Sequence, residues 1–274
     1  MKEAHYQQCP ESSLQNIDET SRKLQEQGLK KEALDCLQLG LLKRKELYGC
    51  KSAELQNECK RVGKLFVEIC KTLEFDEGID YLHKALKIVK SDRRTKMHIF
   101  QLLAELYFKA KHHFMALKCA RQVLSLHKAL GDGEIDCAAA MLNVCFHLSN
   151  MKKHEAALKQ AEAAIELLRS KMPRPNSMQT IREYSDTESV AESETLSTVK
   201  TDMRVVEVVA LGYHNAGVQF EFLGDIKNCY YIFRHGGEIA SQFLGQDHTI
   251  TEMLLESTRC TARQIVKNGI ILEI

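Results

Sequence analysis

The side chains that could carry out chemistry begin with a run of carboxylates. Asp76, Glu77 and Asp80 have the acidic spacing that holds a divalent metal in some all-helical enzymes. The hydrophobic pattern places them at the start of a helix, where acidic side chains are stabilised by the positive end of the helix dipole. We therefore interpret them as residues of a helix N-terminus and predict no metal site.

Histidine, cysteine and glycine form no catalytic pattern either. His112 and His113 are adjacent, so on a helix they point about 100° apart and would chelate a metal poorly. The ten cysteines contain no Cys-x-x-Cys pair, which favours reduced core residues over a disulfide or zinc framework. Neither a glycine-rich phosphate loop nor a His-Glu-x-x-His or Gly-x-Ser-x-Gly motif occurs. We predict no catalytic residue, no cofactor and no enzyme activity.

The elements that would position any binding residues are helices, and their pattern recurs about every 40 residues. Each recurrence begins with a small residue, at Ala33, Gly78, Ala116, Ala157 and Cys229. A space-filling or apolar residue follows four positions later, at Leu37, Leu82, Ala120, Ala161 and Phe233. A further, mostly small residue follows at Gly40, Ala85, Val123, Ala164 and Gly236. Spacings of three and four keep these positions on one helical face, which predicts stacked helical hairpins.

This pattern resembles the tetratricopeptide repeat (TPR). The last repeat fits it best, with Tyr213, Ala216, Gly217, Phe220, Gly224, Cys229, Phe233 and Gly236 at the expected positions. The long spacing is similar to the kinesin-light-chain type, and Phe243–Thr249 looks like the linker of those repeats with Thr249 in place of proline. The resemblance implies an all-α, right-handed superhelical solenoid of about five TPR pairs with a C-terminal capping helix.

We divide the chain accordingly. The predicted segments are a flexible N-terminus (1–13), repeats one to four (14–170), a disordered insertion (171–203), repeat five (204–246), and a capping helix with a tail (247–274). The capping helix is expected over 248–268, with apolar content from Met253, Leu254, Leu255, Cys260, Ile265 and Val266.

In the resembling family the first helix of each pair, helix A, lines the concave surface. Asn143 and Asn215 occupy the same helix-A position, where the resemblance implies that an asparagine holds the backbone of an extended peptide. The alternative is an exposed or capping asparagine. The same register predicts further groove residues at Lys60, Lys64, His98, Gln101, Leu102, Glu105, Phe146, His214 and Val218. Asp18 and Arg22 replace the Lys and Asn that a chaperone-tail clamp requires, which argues against that ligand.

The insertion is polar, rich in Ser and Thr, and opened by Pro173 and Pro175. Such a stretch buries too little apolar surface to offset its ordering entropy. Ser185 and Ser189 each precede a glutamate by three residues, which resembles sites of acidophilic kinases. We predict phosphorylation there, against the alternative of an unmodified solvated loop.

Basic residues concentrate between Lys84 and Lys128. This stretch contains eleven Lys and Arg residues, and its only acidic residues are Asp92 and Glu105. One interpretation is the solvated surface of two helix pairs, and the other is a site for an acidic peptide, either a partner's or the acidic insertion itself. An RNA site is disfavoured, because this stretch lacks the aromatic interleaving that stacking on bases would need.

These observations predict a non-catalytic scaffold or adaptor that binds an extended or helical, acidic peptide segment of a protein partner in the concave groove. The alternative is a helical-repeat regulatory subunit of an enzyme, or an all-helical enzyme. A formal net charge of +1 disfavours bulk attraction to nucleic acid. With neither a secretory signal nor a membrane-spanning run, we predict a cytoplasmic protein with cytoskeletal or ciliary association and no membrane insertion.

Overall fold

The computed structural model describes residues 10–48, 57, 61–62, 75–89, 92–173 and 192–270. Within them the regular elements are all helices, which confirms the predicted all-α class. The α-helices are α1 (Pro10–Glu26), α2 (Lys30–Tyr48), α3 (Phe75–Ile88), α4 (Arg93–Lys109), α5 (His113–Leu130), α6 (Glu134–Asn150), α7 (His154–Leu168), α8 (Glu192–Phe222), α9 (Ile226–Phe243) and α10 (Thr249–Lys267). A short 3-10 turn, Arg169–Lys171, follows α7.

The chain forms two compact units, Met1–His112 and His113–Ile274. In the first unit, α1 packs on α2 and α3 packs on α4. The predicted small residues Ala33, Gly78 and Ala85 are buried there, as is Leu82. Asp18, which stands where a chaperone-tail clamp would need another residue, accepts a hydrogen bond from Arg44. The two side chains form an ion pair between α1 and α2.

In the second unit each helix from α5 to α10 packs on the next one along the chain. In addition, α8 contacts both α6 and α10, so these three helices form a continuous row. We call α6, α8 and α10 the A-helix row. Helices α6 and α8 are the A helices of predicted repeats four and five, and α10, the predicted capping helix, continues the row. The core between the helices contains the predicted positions Ala157, Ala161, Ala164, Cys229 and Phe233. The stack of TPR-like hairpins is therefore confirmed within this unit.

Local sequence explains where α8 stops and α9 starts. Gly224 has a φ of 79°, in the left-handed region where a residue with a Cβ is strained, so the chain leaves the helix there. Asp225 then caps α9, since its Oδ1 accepts a hydrogen bond from the backbone N–H of Asn228 at 3.1 Å. This glycine was one of the residues that predicted the repeat.

Helix α8 begins at Glu192, inside the segment 171–203 that the sequence predicts to be disordered. Between Glu192 and Gly212 the sequence contains neither proline nor a further glycine, and its Glu, Lys and Val residues can continue a helix toward the packed part of α8. The N-terminal prediction differs too, because α1 begins at Pro10. Pro175, Ser185 and Ser189 lie outside the described residues.

The predicted capping helix is confirmed as α10, which packs on α8 and α9. Of its predicted apolar contacts, Leu254 and Ile265 are buried, whereas Cys260 is exposed and Val266 is 81% exposed. The buried face of α10 instead includes Thr251 and Thr261. Spacing places Thr251, Leu254, Thr261 and Ile265 on one stripe, which the apolar residues alone did not reveal.

The two buried threonines of α10 differ in hydrogen bonding, and this predicts opposite effects of replacing them by valine. Thr251 Oγ1 has no hydrogen-bond partner among the described residues, whereas Thr261 Oγ1 donates to Ser257 O at 2.8 Å. Thr251→Val should raise the free energy of unfolding by about 1 kcal/mol, because an unpaired buried hydroxyl is removed. Thr261→Val should lower it by about 0.5–1.5 kcal/mol. Urea unfolding of both variants checks this, and equal shifts of the same sign would contradict it.

Candidate functional site

The exposed face of α6 is the first part of the candidate site. Asn143, Phe146 and Asn150 are separated by three and four residues, so they share a face, and all three are exposed. Phe146 keeps 46% of its surface in solvent. Asn150 Nδ2 donates to Phe146 O at 2.8 Å, so its amide is directed along the helix. The Asn143 amide therefore lies on the same open surface as an apolar ring.

The neighbouring helix α8 carries the second predicted asparagine. An ion pair between Arg204 and Asp136, 3.1 Å from nitrogen to oxygen, joins α8 to the start of α6. Asn215 and His214 are half-buried on α8. Burial lowers the pKa of His214, and the neighbouring Asn215 side chain partly offsets that effect. The two predicted asparagines are thus brought to adjacent helices of the A-helix row.

A polar network that the sequence did not reveal supports α8. Gln219 is only 2% exposed, and its Oε1 lies 3.0 Å from His154 Nδ1 at the start of α7. Its Nε2 donates to Asn215 O at 3.2 Å, which satisfies the buried amide. The His154 ring also stacks on Phe222, with centroids 4.5 Å apart and an angle of 14° between the planes. Gln219 therefore fixes the orientation of α8 around Asn215.

Val218, another predicted groove residue, lines a cavity of about 340 Å³. The remaining lining comes from three helices and comprises Glu221, Phe233, Met253, Glu256, Ser257, Cys260 and Thr261. Gly217 makes room for the Phe233 ring, because a Cβ at this position would lie 2.5 Å from that ring. The close approach of α8 and α9 thus shapes one wall of the cavity.

The predicted groove residues on α4 form a second group, in the first unit. His98 and Glu105 are exposed, and Gln101 and Leu102 are half-buried. His98 Nδ1 lies 3.1 Å from Gln101 Oε1, so these two side chains interact within one turn. Lys60 and Lys64 lie outside the described residues. The structure therefore places Asn143, Phe146, His214, Asn215 and Val218 on the packed helices α6 and α8, and His98, Gln101 and Glu105 on α4.

The basic stretch contributes to both units. Lys84, Lys87, Arg93, Arg94, Lys109 and Lys111 are exposed in the first unit, and Lys118, Arg121 and Lys128 are exposed on α5 in the second. Lys84 Nζ lies 4.4 Å from the centroid of the Tyr81 ring, a cation–π contact that holds its charge at the surface of α3. Each unit thus carries its own share of the positive charge, which stays open to both interpretations, a solvated surface or a site for an acidic peptide.

Three of the described cysteines have the chemistry of core residues. Burial raises the pKa of Cys119, Cys145 and Cys229 to about 11, so these thiols are protonated near neutral pH and are poor nucleophiles. Within the part of the chain that the structure describes, no group of three or more His, Cys, Asp or Glu side chains is placed to hold a metal ion.

The other residues considered for metal binding lie at helix ends. His112 is exposed at the turn before α5, and its ring meets that of Tyr107 edge-on at 6.4 Å. Asp76 and Glu77 belong to the first turn of α3. Their interpretation as residues that favour the helix dipole stays a prediction.

Over the described residues, none of the helices combines the length and apolar character needed to cross a membrane.

Comparison with known proteins finds similar solved structures. No protein-family model and no curated protein sequence matches the chain. Among solved structures, two crystal structures of a Podosopora anserina protein, described as a kinesin light chain with nearly identical TPR-like repeats, are similar. One of them, of a single-residue variant, has 12% identity, a TM-score of 0.46, and coverage of 85% of this chain and 96% of that one. The other has 13% identity, a TM-score of 0.40, and coverage of 86% and 98%.

BtubC (BKLC) from P. vanneervenii is similar over 97% of this chain and 95% of its own, at 13% identity and a TM-score of 0.34. At such identities and TM-scores the similarity assigns neither a family nor a function. The helical repeat rests on this chain's own structure, in which packed helical hairpins bury the small residues at the predicted positions.

Proposed function

We propose that the second unit binds an extended peptide segment of a protein partner along the A-helix row, and that the chain acts as a non-catalytic interaction scaffold. The observation that carries this proposal is the placement of Asn143 and Asn215 on adjacent, packed helices at the same helix-A position. An amide side chain both donates and accepts hydrogen bonds, so it can pair with the N–H and C=O of a peptide backbone. Two such amides would hold an extended segment across the row.

Apolar surface near the amides supports the same proposal. Phe146 is 46% exposed on α6 and Phe222 is 63% exposed on α8. Exposed aromatic rings beside hydrogen-bonding side chains are typical of protein-binding surfaces, where they provide most of the buried contact area. The His154 ring stacks on Phe222 and restricts it, so less side-chain entropy is lost on binding.

The Asn143→Ala, Asn215→Ala double variant tests the proposal. Peptides that bind the full chain can be selected from a displayed library of random peptides of about ten residues, and their affinities measured by fluorescence anisotropy. The double variant should bind them more than tenfold more weakly, because each lost amide leaves a peptide group unpaired at a cost of about 1–3 kcal/mol.

A matched control is Gln122→Ala, which removes an exposed amide from α5, outside the A-helix row. It should leave the affinity unchanged. Unfolding curves of both variants should match that of the parent chain, since Asn143 is exposed and Asn215 is half-buried. A double variant that binds the selected peptides as tightly as the parent would show that they use another surface.

A further inference from the structure

We infer that the cavity beside Val218 receives a lysine or arginine side chain of the bound peptide. This inference rests on the proposed function, because Val218 lies one helical turn from Asn215 on the same face of α8. A peptide backbone held at Asn215 would place one of its side chains over the cavity.

The floor of the cavity suits an aliphatic chain. Val218, Phe233 and Met253 supply apolar surface from α8, α9 and α10, and Phe233 is only 2% exposed. The volume of about 340 Å³ accommodates one long side chain with some water. Lysine and arginine can bury their methylene stems on such a surface while the charged end stays near solvent.

The rim of the cavity carries the negative charge that would select the charged end of a lysine or arginine side chain. Glu256 is already compensated, with Arg259 at 3.1 Å and Arg263 at 3.9 Å. Glu221 instead accepts a long hydrogen bond from Gln264 Nε2, at 3.5 Å, and makes no ion pair within the described part of the chain. Its exposed carboxylate is therefore the group at the rim that an incoming cation would pair with.

Other occupants fit less well. An acidic side chain would approach the Glu221 carboxylate, which has no ion-pair partner among the described residues, and like charges at short distance repel. A purely apolar side chain would use the floor but would leave the Glu221 charge beside a less hydrated neighbour, without compensation. A cation with an aliphatic stem satisfies both the floor and the rim.

The experiment uses the peptides selected on the full chain. We expect them to share a lysine or arginine at one fixed position. For one arginine-containing peptide, affinities are then measured for four combinations: parent chain or Glu221→Gln, with arginine or its uncharged analogue norleucine in the peptide. Glu221→Gln should weaken the arginine peptide about fivefold, the size of a partly exposed ion pair, and leave the norleucine peptide unchanged. The arginine effect should shrink at high salt.

The control variant is Glu162→Gln, which removes an exposed carboxylate from α7, outside the A-helix row. It should leave both peptides unaffected. Selected peptides without a shared basic residue, or with a shared acidic one, would overturn the inference and leave the proposed function intact. Equal losses for the arginine and norleucine peptides on Glu221→Gln would also overturn it. A library that yields no binding peptide would overturn the proposed function together with the inference.

Discussion

Replacing Ala157 by leucine should lower the free energy of unfolding of the second unit by about 1–3 kcal/mol. Ala157 is fully buried on α7, in the same core as Ala161 and Ala164, and α7 packs on both α6 and α8. An added isopropyl group has no space at this contact, so the helices must separate or adopt strained side-chain conformations.

Thermal and urea unfolding followed by circular dichroism would measure the effect. Ala156→Leu is the control, because Ala156 precedes Ala157 on the same helix but is exposed. Both variants change helix propensity by a similar amount, so the difference between their free energies of unfolding reports the packing cost alone. An equal midpoint for the two variants would contradict the helical register that defines the repeats.

That register is the part of the fold that the sequence predicts best. The small residues Ala33, Gly78, Ala116, Ala157 and Cys229 are all buried in the structure, near the starts of α2, α3, α5, α7 and α9. Their spacing is informative because a helical face is fixed by local geometry, and close helix contact admits only small side chains. Such a signal needs no knowledge of distant residues.

The burial of polar side chains, in contrast, could not be predicted from the sequence. Gln219 is satisfied by His154, 65 positions earlier in the chain, and by the backbone of its own helix. From sequence alone a glutamine on a helix predicts an exposed side chain, since its burial depends on a partner that only the tertiary structure provides. Thr251 and Thr261 were missed for another reason, since their burial follows from how α10 packs on its neighbours and not from an apolar side chain, while Val266, which was counted in the apolar content of α10, is exposed.

The candidate site also has a part that the sequence predicts and a part that it does not. Asn143 and Asn215 could be predicted because they repeat at one helix-A position. The cavity could not, because side chains from α8, α9 and α10 line it, and its shape depends on Gly217 admitting the Phe233 ring. Periodicity assigns residues to faces, whereas a cavity depends on how three faces meet.

Two adjacent glycines of α9 offer a sharper test of that packing. Gly236→Ala should destabilise the second unit, and Gly237→Ala should stabilise it. A Cβ at Gly236 would lie 2.6 Å from Tyr213 Cβ and 3.1 Å from Leu254 Cδ2. Tyr213 Cβ is attached directly to the backbone of α8, so the clash is relieved only if α8 or α9 moves. A Cβ at Gly237 would meet Leu255 Cδ2 at 3.4 Å, an ordinary contact.

Both substitutions gain about 1 kcal/mol from the better helix propensity of alanine, so this gain cancels when the two are compared. Gly236→Ala should then be less stable than Gly237→Ala by about 1–3 kcal/mol, the usual cost of overpacking a core. Urea unfolding of the two variants and the parent chain measures both signs at once. If both alanines stabilise the chain equally, α8 and α9 do not approach at Gly236 as closely as the structure has them. The Phe233 wall of the cavity, which belongs to the same helix contact, would then be misplaced as well.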